Sequence, residues 1–164
     1  MGAILSGAVP VLIDPDRPVE AVKKHLLHTD SRLVILADDY QDAGSRRVLR
    51  EFAFKRGIGI MDMTAYGAID VQQAQPVKLL GKIRSRIEAD DSVVILCTSG
   101  TTTDPREVEL THRNILANIR GSLETVAISS RDRLGPITPP YHSFGLTVGK
   151  LLPPGGRGDE RVHR

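Results

Sequence analysis

The run Thr98-Ser99-Gly100-Thr101-Thr102-Thr103 holds residue types that could do chemistry. Its main-chain N–H groups and five hydroxyls are hydrogen-bond donors, and Gly100 lets the backbone turn tightly and approach a ligand. Arg106 follows closely and supplies a guanidinium for a phosphate-like charge. These are the parts of an anion cradle. The Gly-x-x-x-x-Gly-Lys-Ser/Thr spacing of a Walker loop is absent, and by composition alone the run reads equally well as a turn. His142 is the second candidate, with a loop histidine bonded to backbone as its plainer alternative. His112 has a structural role at a helix start, and His25, His28 and His163 support no functional argument.

The elements that must position these groups follow from hydrophobic period. Val93 to Cys97 is a continuous apolar run, the strongest strand in the sequence, and the Thr/Ser/Gly run follows it at once. Ligands in open α/β sheets bind beyond the carboxyl ends of strands, which is where this run falls. Thr111 to Val126 predicts a helix with Thr111 as N-cap, Asn114 three residues on, and an apolar face of Ile115, Leu116, Ile119 and Leu123. A further strand is expected near Arg133 to Thr138, and a helix begins near Ser143.

Upstream, Ala8 to Ile13 predicts a strand, and Pro18 suits the first turn of a helix carrying Val19, Val22, Leu26 and Leu27. Leu33 to Leu36 predicts a strand buried on both faces, Tyr40 to Arg56 a helix, and Gly57 to Met61 a short strand. Thr64 to Pro76 reads as a connecting loop, Val77 to Ile87 as a helix with a basic solvated face, and Ala89 to Ser92 as a turn. Strands alternating with helices give the fold class: α/β, a mostly parallel sheet flanked by helices. The breaker-rich tail, residues 153–164, is expected to be disordered.

Composition excludes several classes. Hydrophobic residues are 40% of the chain, enough for a core, and no run approaches the roughly 20 apolar residues of a transmembrane helix. Lys+Arg 22 against Asp+Glu 20 leaves net +2, and aromatics are 4% with no Trp, so nothing indicates a nucleic-acid partner. Peripheral membrane contact stays open. The single cysteine, Cys97, reads as a buried small hydrophobe and fits a reducing, cytoplasmic compartment.

The string from Ile95 to Asn114 is more specific than its composition. It resembles the phosphate-binding signature of the adenylate-forming (AMP-binding) superfamily, which includes acyl-CoA synthetases, luciferases and nonribosomal peptide adenylation domains. That signature runs Thr-Ser-Gly-Thr-Thr-Gly-x-Pro-Lys-Gly-Val-x-x-Thr-His-x-Asn. Thr98, Ser99, Gly100, Thr101, Thr102, Pro105, Val108, Thr111, His112 and Asn114 match it in unbroken register. Gly7 to Val11 with Asp14-Pro15 is similar to the family's upstream strand and turn, and Pro140 to Thr147 to its next motif. The string HSFGLTVGKLLP is most similar to acyl-ACP synthetase members.

The resemblance implies ATP-dependent activation of a carboxylic acid, a fatty acid by the closest string, as an acyl-adenylate. It implies ATP and Mg²⁺ as cofactors and CoA or acyl carrier protein as the acceptor. Thr98, Ser99, Gly100, Thr101, Thr102 and Arg106 would meet the ATP phosphates, and His142 would be the catalytic-site residue bordering the acyl group. Residues 1–152 would form a partial AMP-binding N-terminal domain.

The sequence departs from the signature where Thr103 and Glu107 replace glycines and Arg106 replaces lysine. Arginine keeps the charge but not the shape. Glu107 sets a negative charge beside a polyphosphate site, unless it points to solvent and pairs with Arg106. The family's later acidic, adenine-gripping and catalytic-lysine motifs are not found after Gly145. The alternative is therefore an inactive fragment that keeps at most weak nucleotide or phosphate binding.

Overall fold

A computed structural model describes residues 2–37, 40–63, 69–70, 87–98, 106–126 and 138–151. The expected loop at Thr64–Pro76, the basic helix at Val77–Ile87, the strand at Arg133–Thr138 and the tail fall wholly or mostly outside these residues. The chain divides into two compact units, one of residues 1–12, 86–98 and 108–164, the other of residues 13–85 and 99–107.

The first unit begins with α1 (Gly2–Leu5), a short helix that the sequence pattern does not announce, and β1 (Val11–Leu12), shorter than the expected strand. Its central strand is β5 (Ser92–Thr98), flanked by β1 and by β6 (Arg106–Thr111), of which the residues from Val108 on belong to this unit. β1 and β5 run parallel with Val11 opposite Ile95 and Leu12 opposite Leu96. Val93, Val94, Leu96, Ile115 and Leu146 form the core, with Ile4, Leu12, Leu110, Ile119 and Leu151 packed against it. Cys97 is buried, as its apolar neighbours imply.

Helix α4 (His112–Thr125) follows β6 directly, and α5 (Ser143–Leu146) passes into a single π-helical turn at Thr147–Leu151. On α4 only Ile115 is fully buried and Ile119 is partly so, while Leu116 and Leu123 of the expected apolar face are exposed. The stripe facing the core is therefore narrower than the four-residue pattern suggests.

The second unit has β2 (Leu33–Ala37), β3 (Gly59–Met63) and β4 (Ile69–Asp70), with α2 (Val19–His28) before β2 and α3 (Ala43–Arg56) joining β2 to β3. β2 and β3 are parallel, Leu33 opposite Gly59 through Ala37 opposite Met63, and β4 pairs antiparallel with β3. A helix between two parallel strands is the usual solution for such a crossover. Val22, Leu26, Val34, Leu36, Tyr40, Leu49, Ala53 and Ile60 make its core. Leu49 is completely buried, a burial that contributes about 2 kcal/mol.

Local signals set the ends of these helices. Asp42 caps α3, its carboxylate accepting from the main-chain N–H groups of Gly44 (2.7 Å) and Ser45 (3.0 Å) and from Ser45 Oγ (2.7 Å). Gly57 ends α3 in the left-handed region at φ 67°, so it belongs to the cap and β3 begins two residues later than expected. Pro18 stands as N-cap of α2, one position before the first turn. β2 corrects the two-face expectation: Val34 and Leu36 are buried, but Ile35 between them is 52% exposed. Strand alternation sends Ile35 to the opposite side of the sheet from its neighbours.

Candidate functional site

Strand β5 ends where the candidate Thr/Ser/Gly run begins. Its residues from Val93 to Cys97 are buried or half-buried, and burial stops at Thr98, the exposed last residue of the strand. Ile95 is held in place by its N–H donating to Pro10 O at 2.9 Å. The expected phosphate contacts Ser99, Gly100, Thr101 and Thr102 lie outside the described residues. Of the expected phosphate contacts, Thr98 and Arg106 are the two among the described residues.

Arg106 opens β6 and is exposed. A strand thus stands where the sequence pattern leads one to expect a loop. The signal was present: Glu107, Val108, Glu109 and Leu110 alternate polar and apolar, the period of a half-buried strand. Arg106 and Glu107 belong to the second unit.

Glu107 corrects the expectation that it points to solvent. It is partly buried, and its Oε1 lies 2.6 Å from Nδ1 of His25 on α2. The same oxygen is 3.5 Å from Nδ1 of His28, one turn further along. His25 is fully buried, so a histidine that carried no sequence argument is the partner of the most discordant residue in the motif. The two are 82 positions apart, and no local pattern could have joined them.

His142 is exposed at the N-cap position of α5. Its main-chain N–H donates to Pro139 O (3.1 Å), its carbonyl accepts from Leu146 N (2.9 Å), and its ring stands 4.9 Å from that of Tyr141. Main-chain bonds fix the backbone while the imidazole stays accessible. Three residues further into the helix, a Cβ on Gly145 would overlap the carbonyl oxygens of Thr138 and Pro139. Glycine is therefore demanded by close backbone approach, which lets α5 sit against the segment before it and bury Leu146.

The downstream part of the motif is architectural. Thr111 Oγ1 accepts from Asn114 N (3.2 Å), and Asn114 Oδ1 accepts from Thr111 N (3.0 Å), a reciprocal capping box for α4. His112 opens the helix with its N–H donating to Asp91 O at 3.1 Å, so its structural part is played at least by the main chain. Arg113 holds Asp90 through two bonds of 2.7 and 2.9 Å, and that guanidinium keeps the Asp90 carboxyl below its usual range.

A cavity of about 210 Å³ in the second unit is lined by Leu26, Asp30, Arg32, Arg56, Gly57 and Ile58 among others. It contains none of the expected site residues. The negative ends of α2 and α3 lie at this place, which disfavours an anion despite the two arginines. Among the described residues no group of three or more His, Cys, Asp or Glu side chains is arranged to hold a metal, and no helix is long and apolar enough to cross a membrane.

Comparison with known proteins agrees with this arrangement. The mitochondrial malonate–CoA ligase ACSF3 of Mus musculus is 28% identical over 153 residues, 92% of this chain and 24% of that protein. The chloroplastic long-chain-fatty-acid–[acyl-carrier-protein] ligase AEE15 of Arabidopsis thaliana is 26% identical over 164 residues, 87% of this chain and 23% of that protein. The crystal structure of ATP-bound MatB from Rhodopseudomonas palustris superposes with a TM-score of 0.69 at 21% identity, over 89% of this chain and 28% of that one. The chain thus spans about a quarter of the length of each. The model of the family described as AMP-binding enzyme matches residues 1–154, nearly the whole of the chain, and the chain belongs to that family.

Proposed function

We propose that this chain is the phosphate-binding portion of an ATP-dependent ligase that activates a carboxylic acid as an acyl-adenylate for transfer to CoA or an acyl carrier protein. The observation that carries the proposal is β5, a buried parallel strand that ends in exposed Thr98 and leads directly into Ser99-Gly100-Thr101-Thr102. In the reaction a carboxylate oxygen bonds to the α-phosphorus of ATP while the bond to the β-phosphate oxygen breaks and pyrophosphate leaves. A thiol then attacks the acyl carbon and AMP departs.

The role of this chain's residues is electrostatic. Thr98 to Thr102 supply hydroxyl and main-chain donors, and Arg106 a fixed positive charge, where charge builds on the leaving pyrophosphate. Mg²⁺ accompanying the nucleotide shares that load when bound. His142, accessible at the start of α5, borders the acyl group. A fatty acid is our first choice of substrate, from the string HSFGLTVGKLLP, with malonate the alternative that the malonate–CoA ligase relative suggests. The lone buried Cys97 suits a reducing compartment, and we place the protein in the cytoplasm.

ATP–pyrophosphate exchange measured with a long-chain fatty acid and with malonate, on the chain and on Thr101→Ala, tests this reading. Exchange that the substitution abolishes supports a complete half-reaction. One observation favours a second reading, a module that binds nucleotide without turnover: Thr103 and Glu107 stand where the family signature has glycines, and a side chain there restricts close approach to a phosphate. It predicts no exchange but a calorimetric ATP signal that Thr101→Ala removes. No heat with ATP sinks both.

A further inference from the structure

The contact between His25 and Glu107 bears on the side of β6 from which Arg106 acts. Arg106 and Glu107 are the first two residues of β6, and consecutive side chains on a strand point to opposite faces. Glu107 is held on one face by completely buried His25, Nδ1 to Oε1 2.6 Å, with His28 Nδ1 3.5 Å from the same oxygen. Arg106, its neighbour, is exposed. A one-residue slip of the strand would exchange the two, carrying a carboxylate to the arginine's side. Such a slip would strip the buried imidazole of its charged hydrogen-bond partner.

We propose that His25 is a positioning residue: through Glu107 it fixes the face of β6 on which Arg106 presents its guanidinium to nucleotide phosphate. The inference rests on the ATP-binding reading above and adds a residue from α2 to it. It also gives Glu107 a purpose opposite to simple repulsion. The carboxylate is spent on His25 and holds the adjacent cation in place.

The test is ATP affinity by calorimetry on the 164-residue chain. His25→Leu is expected to weaken binding about tenfold, the loss of one charge-assisted hydrogen bond, and His25→Asn to restore most of it by donating from its amide. In an Arg106→Ala background His25→Leu should have no further effect, which a merely structural histidine would not predict. Equal losses with and without Arg106 overturn the proposal.

Glu107→Ala keeps the test decisive if His25→Leu fails to fold. Positioning predicts weaker ATP binding in Glu107→Ala, whereas a Glu107 that only repels phosphate predicts tighter binding and overturns the proposal. Unchanged affinity in both His25→Leu and Glu107→Ala, with the unsubstituted chain binding ATP, overturns the positioning role alone. Failure of the unsubstituted chain to bind ATP overturns the function itself, and this role with it.

Discussion

Thr111 and Asn114 hold each other's main-chain N–H groups, at 3.2 and 3.0 Å, and so close the first turn of α4. Two residues of the family signature thereby serve the fold rather than a ligand. Their part is to start a helix immediately after β6, with Ile115 turned into the core. Thr111→Ala is expected to destabilise the protein by about 1 kcal/mol, and Thr111→Ser by much less, since serine caps as well. Urea melts of the two variants decide it. Equal losses would mean that the threonine methyl, not its hydroxyl, matters.

Gly145 sits against the backbone of Thr138 and Pro139 with no room for a side chain. Gly145→Ala must push that segment or α5 away, and overpacking of this kind costs about 1–3 kcal/mol. Leu146, 5% exposed, would be levered from the core beside it. Thermal melting with hydrogen exchange at the Leu146 amide reports both effects. A wild-type melting point would show that the segment gives way freely.

Asp42 caps α3, and the Ser45 hydroxyl, then the Ser45 and Gly44 N–H groups, hold its carboxyl below the ordinary value of 3.8. A depressed folded pKa stabilises the protein above the unfolded value and loses that stabilisation as pH falls through the folded one. Asp42→Asn should cap nearly as well at neutral pH yet abolish this acid-side loss. Asp42→Ala should lower Tm at pH 7 by about 3 °C. Melting curves of the three proteins from pH 7 down to pH 2.5 make the comparison. An unaltered pH profile in Asp42→Asn refutes it.

Tyr40 packs in the core of the second unit at 7% exposure, and its hydroxyl has no hydrogen-bond partner among the described residues. Burial pushes its pKa above the ordinary 10.0. Tyr40→Phe removes an unsatisfied polar group and is expected to stabilise by about 1 kcal/mol. Because the folded pKa is raised, the tyrosine's contribution is present below pH 10 and is lost as pH rises above it. The phenylalanine variant should therefore also resist alkaline unfolding better. Destabilisation on substitution would mean that a bound water satisfies the hydroxyl.

Local patterns carried much of the fold. The apolar run at Val93–Cys97 named β5, the helical spacing after Thr111 named α4 and its cap, and Leu33–Leu36 named β2. Each of these signals lies within about one turn or one strand of the residues it organises. β6 is legible as an alternating run but is masked by its position inside the family signature string. The two-sided burial expected of β2 failed at Ile35, because burial of a face depends on what the rest of the chain lays over it.

The sequence by itself determined the family, through a string of residues in register, and the order in which its motifs arrive on strand, loop and helix. Only the tertiary structure decided what several of those residues are for. It revealed that Gly145 is a packing glycine and that Glu107 reaches back to His25. The reason is physical: caps and hydrophobic periods are short-range and written in neighbouring residues. A partner 82 positions away is chosen by the path of the folded chain.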